Sequence, residues 1–243
     1  MRKRIWELDT LRGVLILIMI GFHLAYDLVY LYGLVGLNTP LAQRIFQFFD
    51  NWSGSPFLFL SGLCVTFSSR PVRRGLQVFG CGMVITAVTA GMYFLQLADK
   101  GIIIYFGVLQ CLGMCMLLWP VFRKLPKGAL LAIGIVLAAA GLYLKFGDIR
   151  PVDFPWLIPL GIVNWGFTSS DYFPLLPNLG YFLIGAFLGH TFYRERTTRF
   201  PAVNPERPLI RFFSFFGKHS LFIYMLHQPV LAGLVGLWVM LFS

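Results

Sequence analysis

Charge is what this sequence has least of. Of its 243 residues only 12% are Asp, Glu, Lys or Arg, and just 10 are acidic. A soluble domain needs about twice that share (roughly 25%) to wet its surface, so a water-facing globule is excluded. Cysteine is scarce as well: Cys64, Cys81, Cys111 and Cys115 all fall inside apolar runs. That is no disulfide framework. Cys111 and Cys115 are i,i+4 neighbours with no His or carboxylate beside them, so they read as small packing residues, and no metal is expected. Internal repeats and low-complexity tails are missing too. The first apolar run is too long for a cleavable leader and lacks a small-x-small site after it, so none is expected.

What is abundant suits lipid. Hydrophobic residues make up 58% of the chain, with 25 Phe, 25 Gly and a mean hydropathy of +0.74. The net charge of +10 comes from short basic clusters between apolar runs. It forms no continuous stripe, so no nucleic-acid partner is expected. Spans need about 20 mostly apolar residues, and seven stretches qualify: roughly 11–34, 54–69, 75–97, 102–121, 128–146, 174–193 and 219–241. The fold expected is an all-α membrane protein of about seven transmembrane helices, a single domain over residues 1–243. Between the fifth and sixth spans, residues 148–173 are rich in Pro, Gly and Trp. The apolar piece Trp156–Val163 is too short to cross, so a re-entrant or interfacial segment is expected there. Residues 41–52 have the pattern of an amphipathic surface helix anchored by Phe46, Phe48, Phe49 and Trp52.

The basic residues orient the chain. With a cytoplasmic N-terminus, one side collects 16 of the 20 Lys and Arg, among them Arg2, Lys3, Arg4, Arg70, Arg73 and Arg74. Arg44, Lys100, Lys145 and Arg150 are left on the other side, together with Asp50, Asp99, Asp148, Asp153 and Asp171. This is a positive-inside pattern, and an odd number of spans puts the C-terminus outside. The expected location is a multi-pass protein of a bacterial plasma membrane.

Ionisable residues inside a span cost roughly 2.5–3.5 kcal/mol each on insertion scales, so each is a functional hypothesis by default. The first span carries Arg12, His23 and Asp27. Eleven residues separate Arg12 from His23, about 16 Å along a helix axis, which puts the imidazole deep in the bilayer. Asp27, at i+4 from His23, shares its face and is placed to hold one ring nitrogen, making the other a better base. A purely structural network is the competing reading. His227 precedes Gln228 and Pro229 in the last span, where Pro229 frees carbonyls that either side chain could face. Structural and functional readings of His227 are evenly matched. Arg70, Arg73 and Arg74 follow the second span, where they serve either as topogenic charge or as forks for phosphate. Gln110 lies on an apolar span, where helix–helix glue is the commonest role. Asp171 reads as an outward loop acid.

These residues also form a familiar pattern. Leu8-Asp9-Thr10-Leu11-Arg12-Gly13, followed by Gly21-Phe22-His23, resembles the Arg-x10-His signature of membrane acyltransferase family 3. Phe216-Gly217-Lys218-His219-Ser220-Leu221-Phe222-Ile223-Tyr224-Met225-Leu226-His227-Gln228-Pro229 resembles the last conserved helix of that superfamily. Gly107-Val108-Leu109-Gln110 and Ser170-Asp171-Tyr172-Phe173-Pro174-Leu175-Leu176-Pro177 resemble relatives that contain a heparan-alpha-glucosaminide N-acetyltransferase catalytic domain. The resemblance implies transfer of an acyl group, usually acetyl, from cytoplasmic acyl-CoA to an extracytoplasmic hydroxyl or amine, such as that of a sugar. It casts His23 and Arg12 as catalytic and puts Arg70, Arg73 and Arg74 on the acyl-CoA side; by position we expect Asp27 to orient His23 as a third catalytic residue, and Gln110 and His227 to join the acyl-CoA side. Asp171, Trp165 and Trp52 stand on the acceptor side, with aromatic rings of the kind that suit sugars. The partners implied are acyl-CoA, a carbohydrate-like or small-molecule acceptor and the lipid bilayer, with a homo-oligomer left open. In one respect the chain departs from the family: residues 38–62, where a relative carries its active histidine, hold none.

Two other classes compete. A small proton-coupled transporter would use His23, Asp27 and His227 as a proton relay, and inverted repeats would support it; none is visible. A non-catalytic membrane subunit would use the same residues only to lock helices together.

Overall fold

The computed structural model describes residues 5–37, 39–147, 152 and 154–242. Six charged residues that bear on the orientation, Arg2, Lys3, Arg4, Asp148, Arg150 and Asp153, lie outside them. All regular elements among the described residues are helical, apart from an isolated bridge between Phe106 and Tyr172. The chain divides into two compact units, Met1–Phe57 with Arg196–Ser243, and Leu58–Glu195.

In the first unit, α1 (Trp6–Tyr26) runs on through a π-helical turn, Asp27–Leu31. Together they form a 26-residue apolar stretch long enough to cross a membrane. The amphipathic helix expected near residue 41 is present as α2 (Pro40–Trp52). Thr39 caps it, its hydroxyl accepting from the Ala42 N–H at 3.2 Å, and Pro40 occupies the first turn, where a missing N–H costs nothing. Phe46 and Phe49 pack on Phe22 of α1 with ring centroids 5.4 and 5.5 Å away.

A second amphipathic helix, α8 (Pro208–Lys218), precedes the last span, α9 (Ser220–Phe242). No helix is expected there from the apolar runs alone, although Leu209, Phe212, Phe213 and Phe216 repeat at helical spacing. Its backbone lies directly on α1. A Cβ on Gly13 would overlap the Phe213 carbonyl, and one on Gly217 would overlap the Asp9 carbonyl. Close backbone approach of this kind is how helices associate where no hydrophobic effect drives them together. Thr10 and Ser214 add a hydroxyl hydrogen bond at 2.8 Å.

The second unit holds α3 (Ser55–Val65) from Leu58 onward, α4 (Pro71–Phe94), α5 (Val108–Phe122), α6 (Lys127–Phe146) and α7 (Leu175–Phe192). Among the described residues five helices are long and apolar enough to cross a membrane: Trp6–Leu31, Pro71–Phe94, Lys127–Phe146, Leu175–Phe192 and Ser220–Phe242. Two of the seven expected spans are shorter than the sequence suggested. α3 has 11 residues, about 16 Å of helix, and α5 has 15.

The shortening of α5 has a local cause. The carbonyl of Ile104 accepts from Thr86 at 2.7 Å, and the carbonyls of Ile102 and Ile103 accept from Ser170 and Ser169 at 2.7 and 2.9 Å. Side chains thus capture the backbone that would have formed the first turns. Between α6 and α7, where a re-entrant piece was expected, the chain makes a 3₁₀ turn at Pro155–Leu160.

The α1–α8 contact yields a direct expectation. Gly217→Leu costs about 2 kcal/mol or more through backbone overlap, and the melting temperature of the purified protein in detergent falls. Gly80→Ala on α4, where a Cβ meets open space, leaves stability unchanged or raises it by up to about 1 kcal/mol, and the melting point does not fall.

Candidate active site

The polar groups of the first unit gather where α1 loses its regular period. After Tyr26 the helix widens into the π turn, and the Asp27 N–H reaches the carbonyls of both His23 and Leu24. Such turns are rare and concentrate at functional sites. The Asp27 side chain is fully buried there, at 0% exposure. Its Oδ1 accepts a 2.7 Å hydrogen bond from Nε2 of Gln228 on α9. One residue earlier on α9, the His227 ring meets the His23 ring edge to face, centroids 4.7 Å apart and planes at 83°. Adjacent residues of α9 therefore reach α1 at two points one turn apart. Tyr32 ties the far end of the π turn to the same helix, its hydroxyl donating to the Ala232 carbonyl at 2.7 Å.

The tautomers follow from the backbone. Nδ1 of His23 lies 2.9 Å from the Met19 carbonyl, and Nδ1 of His227 lies 2.6 Å from the Tyr224 carbonyl. A carbonyl oxygen only accepts, so each Nδ1 carries the proton and each neutral ring keeps a lone pair on Nε2. His23 is half-buried, whereas Nε2 of His227 is buried with no hydrogen-bond partner. Oδ2 of Asp27 and Oε1 of Gln228 are in the same condition.

Several sequence expectations change here. Asp27 does not hold the His23 ring: Met19 takes Nδ1, and Gln228 takes the carboxylate. His23 and Asp27 do stand one turn apart, with the Asp27 N–H on the His23 carbonyl, but each side chain takes another partner. Arg12 does not join the cluster. Its Nη1 lies 3.2 Å from Oδ1 of Asp9, near the opposite end of α1. His227 stands beside His23, and Gln228, which the sequence singled out only as a neighbour of His227, is the residue that reaches Asp27. A glutamine before a proline in an apolar span was the available signal.

The remaining candidates sit elsewhere. Trp52 ends α2 in the first unit, half-buried. Gln110, in the second unit, spends its whole amide between helices. Its Oε1 accepts from the Gly107 N–H at 3.0 Å, and its Nε2 donates to the Gly82 carbonyl at 3.1 Å and the Thr86 hydroxyl at 2.7 Å. That leaves no donor for acyl-CoA and makes Gln110 a clamp between α4 and α5.

Asp171 is no solvated loop acid: its Oδ2 accepts from the Val108 N–H at 3.1 Å, at the open start of α5. A carboxylate there satisfies an orphan donor and meets the positive end of the helix dipole. A Cβ on Gly107 would collide with it. Beside it the Tyr172 hydroxyl donates to the Ile158 carbonyl at 2.7 Å. Burial pushes this phenol above its ordinary range, so it acts as a fixed donor. Trp165 is 85% exposed. Arg70, Arg73 and Arg74 are exposed at the start of α4, Arg70 as its N-cap.

Because Asp171 acts as a cap, Asp171→Ala lowers stability by about 1 kcal/mol. A lower melting temperature of the purified variant in detergent is the measurement that checks it.

Over residues 4–229 the sequence matches the family described as Heparan-alpha-glucosaminide N-acetyltransferase, catalytic. No curated protein and no solved structure matches the chain. The family match runs from the start of α1 into α9, so it takes in both helices that carry the histidine pair and the whole second unit between them. This protein belongs to that family of membrane-bound acetyltransferases.

Proposed function

We propose that the protein moves an acetyl group from acetyl-CoA, or another acyl group from its CoA thioester, to an amine or hydroxyl of an extracytoplasmic acceptor such as a sugar. The observation that carries this reading is the His23 ring. Its Nδ1 proton is committed to the Met19 carbonyl, so a lone pair at Nε2 stands ready within a membrane-spanning helix. A general base needs that lone pair within reach of the acceptor.

In the proposed reaction the acceptor's N–H or O–H gives its proton to Nε2 of His23 while the nitrogen or oxygen attacks the thioester carbonyl. The tetrahedral centre collapses, the C–S bond breaks, and the CoA thiolate leaves and takes up a proton. The phosphates of the donor are assigned to Arg70, Arg73 and Arg74. Three exposed guanidiniums at the positive end of a helix repel one another and the dipole, and an anion relieves both. The ring faces of Trp165 and Trp52 are assigned to the acceptor.

The orientation proposed keeps the N-terminus in the cytoplasm of a bacterial cell and the C-terminus outside. α3 and α5 complete seven crossings of one domain, and Pro155–Leu160 forms the interfacial piece. The carrier reading recedes, because the family is one of transferases and no inverted repeat supports transport.

His23→Ala is expected to cut acetyl transfer about 10²- to 10⁴-fold while leaving acetyl-CoA binding and the melting temperature near wild type. A variant that melts early yet transfers normally would make His23 structural. Replacing Arg70, Arg73 and Arg74 together by Ala is expected to weaken acetyl-CoA binding at least tenfold in calorimetry, and the loss shrinks as salt is raised.

A further inference from the structure

α1 and α9 run parallel. His227 meets His23, Gln228 reaches Asp27, and Ala232 takes the Tyr32 hydroxyl, so residue numbers rise together along the contact. Two spans packed in this way begin at the same leaflet, and α8 stands at that end. It leads into α9 through the single residue His219, and its backbone lies on Asp9 and Gly13 in the first turns of α1. The span it packs on and the span it leads into hold this helix at the membrane surface.

The surface of α8 divides into three stripes. One, with Ser214 and Gly217, is buried against α1. A second carries Leu209, Phe212 and Phe215, which are 68%, 52% and 56% exposed. The third carries Arg207, at the N-cap, with Arg211 and Lys218, four and eleven residues on and therefore on one face; all three are exposed. Arg211 has a carboxylate neighbour in Glu206, but at 3.8 Å with both side chains in the open, where a pair is worth little. The apolar stripe needs a hydrocarbon cover, and the basic stripe beside it needs anions. A water-soluble anion meets only the second need. A zwitterionic lipid meets the first but brings its own cation with each phosphate. An anionic lipid supplies both, side by side.

We infer that α8 is a binding surface for anionic phospholipids of the leaflet at which α1 and α9 begin. Leu209, Phe212 and Phe215 enter the acyl-chain boundary, while Arg207, Arg211 and Lys218 take the headgroup phosphates, the two arginines as forks. In the orientation proposed above this is the cytoplasmic leaflet. The surface does not depend on the proposed reaction.

The test uses the purified full chain in a neutral detergent, titrated with dioctanoyl phosphatidylglycerol and followed by its melting temperature. This lipid is expected to raise the melting temperature. Dioctanoyl phosphatidylcholine, with the same chains and no net charge, is expected to give no rise. Replacing Arg207, Arg211 and Lys218 together by Gln weakens the apparent affinity for phosphatidylglycerol roughly ten- to hundredfold. The same charge removed from the second unit, as Arg123→Gln, Lys124→Gln and Lys127→Gln, leaves that affinity unchanged. Phe212→Ser with Phe215→Ser keeps the cations and strips the apolar stripe; it weakens the effect as well, and it carries the test if the Gln variant does not fold. Equal stabilisation by phosphatidylcholine, an undiminished shift in the α8 variants, or an equal loss in the second-unit variant overturns the surface. Acetyl-CoA binding by the α8 Gln variant is expected to match wild type. Its loss there would assign the basic stripe to the donor's phosphates and overturn the lipid site.

Discussion

A carboxylate buried within a membrane span has no water to spread its charge into, and it stays only where other groups hold it. Asp27 is such a carboxylate, and among the described residues the 2.7 Å hydrogen bond from Gln228 is its one side-chain partner. Much of the first unit follows from that contact. It requires α9 to lie against the end of α1, which sets the His227 ring against His23. It falls at the π turn, where the Tyr32 hydroxyl ties the chain to α9 a second time. Pro229, next to Gln228 inside α9, removes one backbone donor and loosens the helix where the side chains must reach across. Taking away one partner of such a buried pair leaves the other uncompensated, which costs more than the bond itself is worth.

The rest of the chain meets the same constraint by other means. In the second unit polar side chains satisfy one another and the backbone, leaving few loose ends. Gln110 ties α4 to the start of α5, Asp171 covers the Val108 N–H, and Ser169, Ser170 and Thr86 take up the carbonyls of Ile102, Ile103 and Ile104. A fully satisfied network of this kind rigidifies a fold. The cluster around Asp27 is only partly satisfied. Residues of the same type, Gln110 and Gln228, do opposite work: one has every amide group engaged, while the other keeps a buried carbonyl oxygen in reserve.

Much of this was legible in the residues alone. Low charge, long apolar runs and clustered Arg and Lys put the chain in a membrane, because each follows from the cost of a polar group in lipid. The amphipathic α2 was legible for the same reason, its Phe residues being spaced for one face. His23 and Asp27 could be named in advance, since an ionisable residue in a span is rarely incidental. The lengths of α3 and α5 were not legible, because apolarity sets where a chain can enter lipid but not where side chains capture the backbone and stop a helix. α8 escaped notice because its basic ends masked the period of its aromatic residues.

The sequence by itself determined the solvent, the all-helical class and the identity of the residues able to do acid–base chemistry, since those depend on composition and on order along one helix. Partners were decided only by the tertiary structure. Whether Asp27 serves His23 or Gln228 depends on where a helix two hundred residues away comes to rest. Asp171, a loop acid by sequence, became the cap of α5 for the same reason. Hydrogen bonds are short-ranged and directional, so which donor meets which acceptor is settled only when distant segments of the chain have packed.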